Sequence, residues 1–161
     1  MLLGRSSLLE KCVNTHLLSE IDTSGVLLIP GGMGTRKLVE DKSFINHLKD
    51  LSERAIYVLS VCTGSALLAK TGVLKGKNAT SNKMAFDWVC GIDCDVSWVR
   101  QARWVNDGKF YTSSGVTAGM DMTLGFIADT HGEKIAYEIC RYTEYIWNKD
   151  KANDPFADQH L

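Results

Sequence analysis

Leu59-Ser60-Val61-Cys62-Thr63-Gly64-Ser65-Ala66 sets one cysteine between an apolar run and a run of small residues. Ala55 to Val61 reads as a short buried strand, and Thr63 to Thr71 reads as a helix that Gly72 stops. Cys62 therefore falls at a turn from strand into helix. Ser24 to Pro30, "SGVLLIP", is a second buried-strand pattern, ended by Pro30-Gly31-Gly32. Between the two, Asp41 to Arg54 places Phe44, Ile45, Leu48 and Leu51 at helical spacing behind an Asp cap. Val96 to Val105 and Lys109 to Ser113 alternate around Asn106-Asp107-Gly108, a hairpin signal. Thr117 to Thr130 and Glu133 to Trp147 are helical patterns separated by His131-Gly132. Strands alternating with helices predict a three-layer α/β domain around a mainly parallel sheet.

The 161 residues suffice for one domain with a sizeable core, spanning 1–161, whose polar end, 148–161, reads as an irregular arm. Lys plus Arg (18) nearly cancels Asp plus Glu (19), with no basic cluster, so neither nucleic acid nor an anionic membrane is expected as a partner. Apolar runs such as Val26 to Pro30 fall far short of the roughly 18 residues that span a bilayer. The start, MLLGRSSLLEK, lacks signal-peptide architecture. Five irregularly spaced cysteines do not read as a disulfide framework, which points to a reducing compartment, the cytoplasm.

A cysteine thiol of ordinary pKa is only a few per cent thiolate near neutral pH. The start of a helix, with its unpaired N–H groups and positive dipole end, favours the thiolate. Ser60-Val61-Cys62-Thr63-Gly64 is a partial match to the strand–turn–helix nucleophile motif G-x-S-x-G, with Gly at its end but Ser at its start. That geometry predicts a strained backbone at Cys62 and makes it the most reactive of the thiols. On this stretch alone a core cysteine ending a strand is an equal reading. Gly31-Gly32-Met33-Gly34-Thr35 shifts the balance, because it follows the other strand and ligands of parallel sheets gather beyond the carboxyl ends of strands. Together the two loops predict an anion hole made by the Gly32 and Thr63 amides.

"LLIPGGMGTRKL", "VLSVCTGSALLAKTGVLKGKNAT" and "FYTSSGVTAGMDMTLGFI", in this order and spacing, resemble the ThiJ/PfpI family of the class I glutamine amidotransferase-like superfamily. The core resemblance covers residues 21–147, and the ending "DPFADQHL" is similar to the tail of many members. Cys62-Thr63-Gly64 with Gly115-Val116-Thr117-Ala118-Gly119 is most similar to the isonitrile hydratase branch. The resemblance implies a flavodoxin-like sandwich and a homodimer acting on a small molecule, without metal or cofactor. It implies Cys62 as nucleophile with Thr63 beside it. Gly31, Gly32, Gly64, Ser114 and Gly115 would bind substrate or its oxyanion. The implied reaction adds water to an isocyanide to give an N-substituted formamide. A glyoxalase- or deglycase-type enzyme and a non-catalytic redox or ligand sensor are the alternatives.

Two departures accompany it. Asn82 stands where relatives often carry His, which disfavours hydrolysis by a Cys–His pair. The family's opening strand–helix–strand unit, with an acidic residue beside the cysteine, has no counterpart, so the fold is expected to be N-terminally incomplete. With the family's central first strand absent, a gap is expected in the sheet. The chain alone should then aggregate through its strand edges and lack hydratase turnover. If Gly4 to Glu20 supplies a substitute strand, Glu10 and Glu20 are the first acid candidates. Elsewhere, Cys90-Gly91-Ile92-Asp93-Cys94 is one C-x3-C pair without a second, read as structural. Cys140 is expected in the core, and Asp121 is expected to support the start of its helix. His16, His47, His131 and His160 read as surface or cap residues.

Overall fold

The computed structural model describes residues 25–158. Along the chain come β1 (Val26–Ile29), α1 (Thr35–Leu38), α2 (Lys42–Arg54), β2 (Tyr57–Val61), α3 (Gly64–Thr71) and β3 (Asn78–Ala79). They are followed by α4 (Phe86–Cys90), β4 (Ser97–Trp98), β5 (Trp104–Asp107), β6 (Phe110–Ser113), α5 (Val116–His131) and α6 (Glu133–Thr143). The main sheet is four-stranded in the order β1-β2-β6-β5, parallel except where β5 meets β6. Cys12, Glu10, Glu20, His16 and His160 lie outside the described residues.

Side-chain alternation along β2 explains the layers. Val58 packs with Ile45 and Leu48 of α2, Leu67 and Leu68 of α3, and Phe110. Leu59, with Tyr57 and Val61, joins Trp104, Tyr111, and Met122 and Phe126 of α5 on the opposite face. A strand buried on both faces needs apolar residues at nearly every position, which is why its sequence reads as an unbroken run. The sheet is flavodoxin-like in its layering, with α2 and α3 over one face and α5 over the other.

The sheet of the described residues is continuous, so the expected internal gap is absent. Parallel pairing runs from Val26 with Tyr57 to Ile29 with Ser60, and β1 is the edge strand among the described residues. On the α5 side of this edge, Val26 and Leu28 are 52% and 57% exposed, because α5 does not extend over β1.

Two elements are shorter than their sequence patterns. Val96 to Val105 is not one strand: Ser97–Trp98 pairs with β3 in a separate two-stranded sheet, and the chain then bends before β5. Side chains capture the carbonyls of that bend, with Thr80 Oγ1 donating to Val99 O at 2.8 Å and Lys83 Nζ to Ala102 O at 2.7 Å. The expected β5–β6 hairpin forms, with Gly108 at φ +63°. The last helix ends at Thr143 rather than Trp147, where Glu144 turns left-handed at φ +52°. Cys140, expected in the core, is half-buried there.

Asp121 explains the early stop. It holds Arg103 and Tyr145, which also bond Thr117 in the first turn of α5, and, fully buried within that helix, it is an anchor for the chain that follows α6 as well. Tyr145 Oη and the Asn148 N–H donate to Asp121 Oδ1 at 3.1 and 2.9 Å, and Trp147 Nε1 donates to its backbone oxygen at 3.0 Å. Its other carboxylate oxygen accepts Arg103 Nε and Nη2 at 2.8 and 2.6 Å. Asp121→Ala would strand a buried guanidinium and release residues 145–148. The expected outcome is a loss of about 3–5 kcal/mol, read as a lower urea midpoint.

Candidate functional site

Cys62 is one of the two non-glycine described residues with positive φ, at +58°. The strain that the strand–turn–helix reading predicts is therefore present. Its N–H donates to Ser113 O at 3.2 Å, and its carbonyl accepts Ser65 Oγ and Ser81 Oγ, both at 3.1 Å. Both serines are fully buried, so the two hydroxyls lock the left-handed turn from beneath.

Glycines bring the second loop against it. A Cβ on Gly31 would lie 2.7 Å from Thr63 N and 2.8 Å from Cys62 Cβ. A Cβ on Gly64 would drive into the Ile29 carbonyl oxygen. Thr63 Oγ1 accepts the Gly32 N–H at 2.9 Å, and buried Thr35 donates its hydroxyl to Gly32 O at 2.7 Å. The expectation that the Gly32 amide points into an anion hole is thereby corrected: Gly32, at φ +125°, turns its N–H to the Thr63 hydroxyl.

Of the residues predicted for the site, Cys62, Gly31 and Gly32 line one cavity of about 420 Å³, with Leu28, Val116 and Met120 as apolar walls. Cys62 is the one titratable side chain among its lining residues. Thr63 and Gly64 are buried and line neither this cavity nor its neighbour; they fix the turn. Ser114 and Gly115 line the neighbouring cavity, with Asn82, Lys83, Arg103 and Asp154. Asn82 Oδ1 caps the short turn of helix at Lys83–Ala85 by accepting the Ala85 N–H at 3.3 Å. His47 and His131 are exposed on α2 and at the end of α5.

Sequence reasoning missed this second cavity's charged wall. The side chains of Lys83 and Arg103 are nearly fully buried and face Asp154, with Lys83 Nζ 3.7 Å from Asp154 Oδ2 and Arg103 Nη1 3.9 Å from Oδ1. Burial pulls the Lys83 ammonium down to about 8, an effect that Asp154 only partly offsets. The available signal was the tail motif itself, since Asp154 opens "DPFADQHL".

A cysteine on a strained turn between strand and helix, facing a glycine loop at the carboxyl ends of parallel strands, defines an α/β domain of the nucleophile-turn class. The model of the DJ-1/PfpI family matches residues 6–129, and the chain belongs to that family. It is 33% identical over 120 residues to the isonitrile hydratase of Pseudomonas putida, covering 74% of this chain and 51% of that protein. The HTH-type transcriptional regulator CdhR of Pseudomonas aeruginosa is 32% identical over 97 residues, covering 60% of this chain and 29% of the regulator. A THiJ/PfpI family protein from Pseudomonas syringae superposes with a TM-score of 0.71 at 32% identity, covering 81% of this chain and 54% of that one. The chain thus spans about half the length of the hydratase it matches.

The Lys83 shift has a sign that titration can read. Its folded value of about 8 lies below the ordinary 10.5, so the penalty for burying the ammonium is fully present below pH 8. It is relieved as pH rises from about 8 to 10.5. Relative to Lys83→Met, the wild-type protein should therefore gain stability across that window in urea titrations. Parallel curves for the two proteins would contradict it.

Proposed function

We propose that the chain carries the thiolate chemistry of isonitrile hydration. The observation that carries this reading is Cys62 itself, held at φ +58° in the mouth of an apolar cavity beyond the strand ends. The likeness to an isonitrile hydratase supports the substrate class. The Cys62 sulfur adds to the terminal carbon of an isocyanide, and that carbon takes up a proton, giving a thioimidate. Water then adds to the thioimidate carbon, the C–S bond breaks, and an N-substituted formamide leaves with the thiol restored. The apolar walls suit an isocyanide with a hydrocarbon substituent. Among the lining residues no carboxylate or imidazole can deliver the proton, so it comes from water or from a group outside the described residues. The thiols among the described residues are all free, which suits a cytoplasmic setting.

One observation favours a second reading, a ligand- or redox-sensing domain. Among the described lining residues Cys62 has no acid–base partner, and transcriptional regulators are among the relatives. Intact mass spectrometry with cyclohexyl isocyanide separates the two. Addition without loss of atoms on Cys62, absent in Cys62→Ser and followed by formamide release, supports hydration. A protein that neither adds isocyanide nor releases formamide, yet is oxidised at Cys62 by peroxide, supports sensing. With methylglyoxal as the challenge, lactate formation would point instead to the glyoxalase alternative.

Self-association into a homodimer is part of the same proposal. Leu28, Val116 and Met120 are 57%, 73% and 45% exposed on the α5 side of the β1 edge, an apolar surface suited to a second copy. Sedimentation should give a dimer at micromolar concentration. A monomer there would refute this.

A further inference from the structure

The cavity beside the start of α5 has the build of a ligand site, and the thiol chemistry makes no use of it. It measures about 260 Å³. Its rim is apolar and open, with Met84 82% and Phe156 53% exposed. Its depth is charged: the side chains of Lys83, Arg103 and Asp154 are 5%, 8% and 1% exposed.

Two independent features ask for opposite charges. Gly115 and Thr117 put the N-terminus of α5 on the wall, where no side chain caps the helix. Its first amides have no acceptor within the helix, and its dipole favours an anion. Asp154 points the other way. Its Oδ1 accepts the Phe156 N–H at 3.1 Å, but its buried Oδ2 has no hydrogen-bond donor. Lys83 Nζ donates to Thr80 Oγ1 at 3.0 Å and to Ala102 O at 2.7 Å and stands 3.7 Å from Oδ2, an ion pair longer than a hydrogen bond. A buried carboxylate oxygen without a donor is costly, and a ligand N–H would relieve it. Lys83 and Arg103 already balance Asp121 and Asp154, so a ligand without net charge adds no net charge to the buried cluster.

We infer that this cavity binds a small α-amino acid with an apolar side chain. The carboxylate meets the free amides at the start of α5, the ammonium donates to Asp154 Oδ2, and the side chain rests on Met84 and Phe156. Cys62 lies in the other cavity, so the inference stands whether or not the thiol hydrates isocyanides.

Amide-resolved NMR titration of the full chain with L-leucine, L-valine and L-phenylalanine tests it. Saturable shifts are expected at Lys83, Gly115, Thr117 and Phe156, unchanged in Cys62→Ser. 4-Methylpentanoate, which lacks the ammonium, and 3-methylbutylamine, which lacks the carboxylate, should each bind about tenfold or more weakly than leucine. Asp154→Asn should abolish the preference for leucine over 4-methylpentanoate. Because that variant removes a buried charge and could unfold the arm, Phe156→Ser and Met84→Ser on the exposed rim provide the second measure. Each should weaken leucine binding while leaving the melting temperature in place. Absence of saturable shifts with all three amino acids would overturn the inference. So would equal binding of 4-methylpentanoate and leucine, or shifts confined to Gly32 and Cys62.

Discussion

Gly64 has no room for a side chain, because a Cβ there would drive into the Ile29 carbonyl oxygen, and everything around Cys62 follows from that contact. It sets the start of α3 directly against the end of β1. Gly31 permits the same approach from the other loop. With both turns in contact, Cys62 has to reverse the chain within one residue, and it does so in the left-handed region at φ +58°. Such a conformation costs on the order of 1–3 kcal/mol. The hydrogen bonds from Ser65 and Ser81 to its carbonyl offset this by about 0.5–1.5 kcal/mol each. The strained residue is thus over-determined by its surroundings, and its sulfur is presented to the cavity without reliance on a partner side chain.

Asp121 plays the corresponding part on the other side of α5. An isolated buried carboxylate would be a liability, yet here each oxygen is occupied by donors from separate segments. Arg103 arrives from the bend before β5, Tyr145 and Asn148 from the chain after α6. Asp154 extends the same network to Lys83. The arm after α6 is consequently fixed by charge more than by apolar packing, although Ala157 is buried beside Asp154.

Much of this was legible in the sequence, and the reasons it stopped are physical. β1, α2, β2 and α3 were readable because each is decided locally, by an apolar run, by helical spacing behind Asp41, or by a terminating Gly72. The strain at Cys62 was readable because strand and helix patterns abut with no residues to spare. The ends of β4 and α6 were not, since they are set by Thr80, Lys83 and Asp121, which act from 19 or more positions away. The orientation of the Gly32 amide was likewise invisible. It depends on which partner a hydroxyl 31 positions away accepts, and a Thr that follows a nucleophile suggests an amide donor as readily as a hydroxyl acceptor. The second cavity escaped because its charged residues sit in three separate segments, none forming a motif alone.

The treatment of helix starts ties the two cavities together. α2, which begins on the surface, is capped by Asp41 accepting the Phe44 N–H at 3.0 Å. α3 and α5, which begin beside the cavities, have no side-chain cap. A cap stabilises a helix by about 1 kcal/mol, so leaving two of them out costs stability that packing must supply elsewhere. Thr63 stands at the capping position of α3, yet its hydroxyl is turned to Gly32 and Thr35 instead of to its own helix. Gly115 stands at the capping position of α5 and has no side chain to offer. A Ser or Asp there would satisfy an amide of α5 and remove it as a donor to anything entering from the cavity side. α6 also starts without a side-chain cap, at Gly132, so an open start alone marks no ligand site; at Gly115 the open amides gain meaning from the buried Lys83, Arg103 and Asp154 that share their cavity.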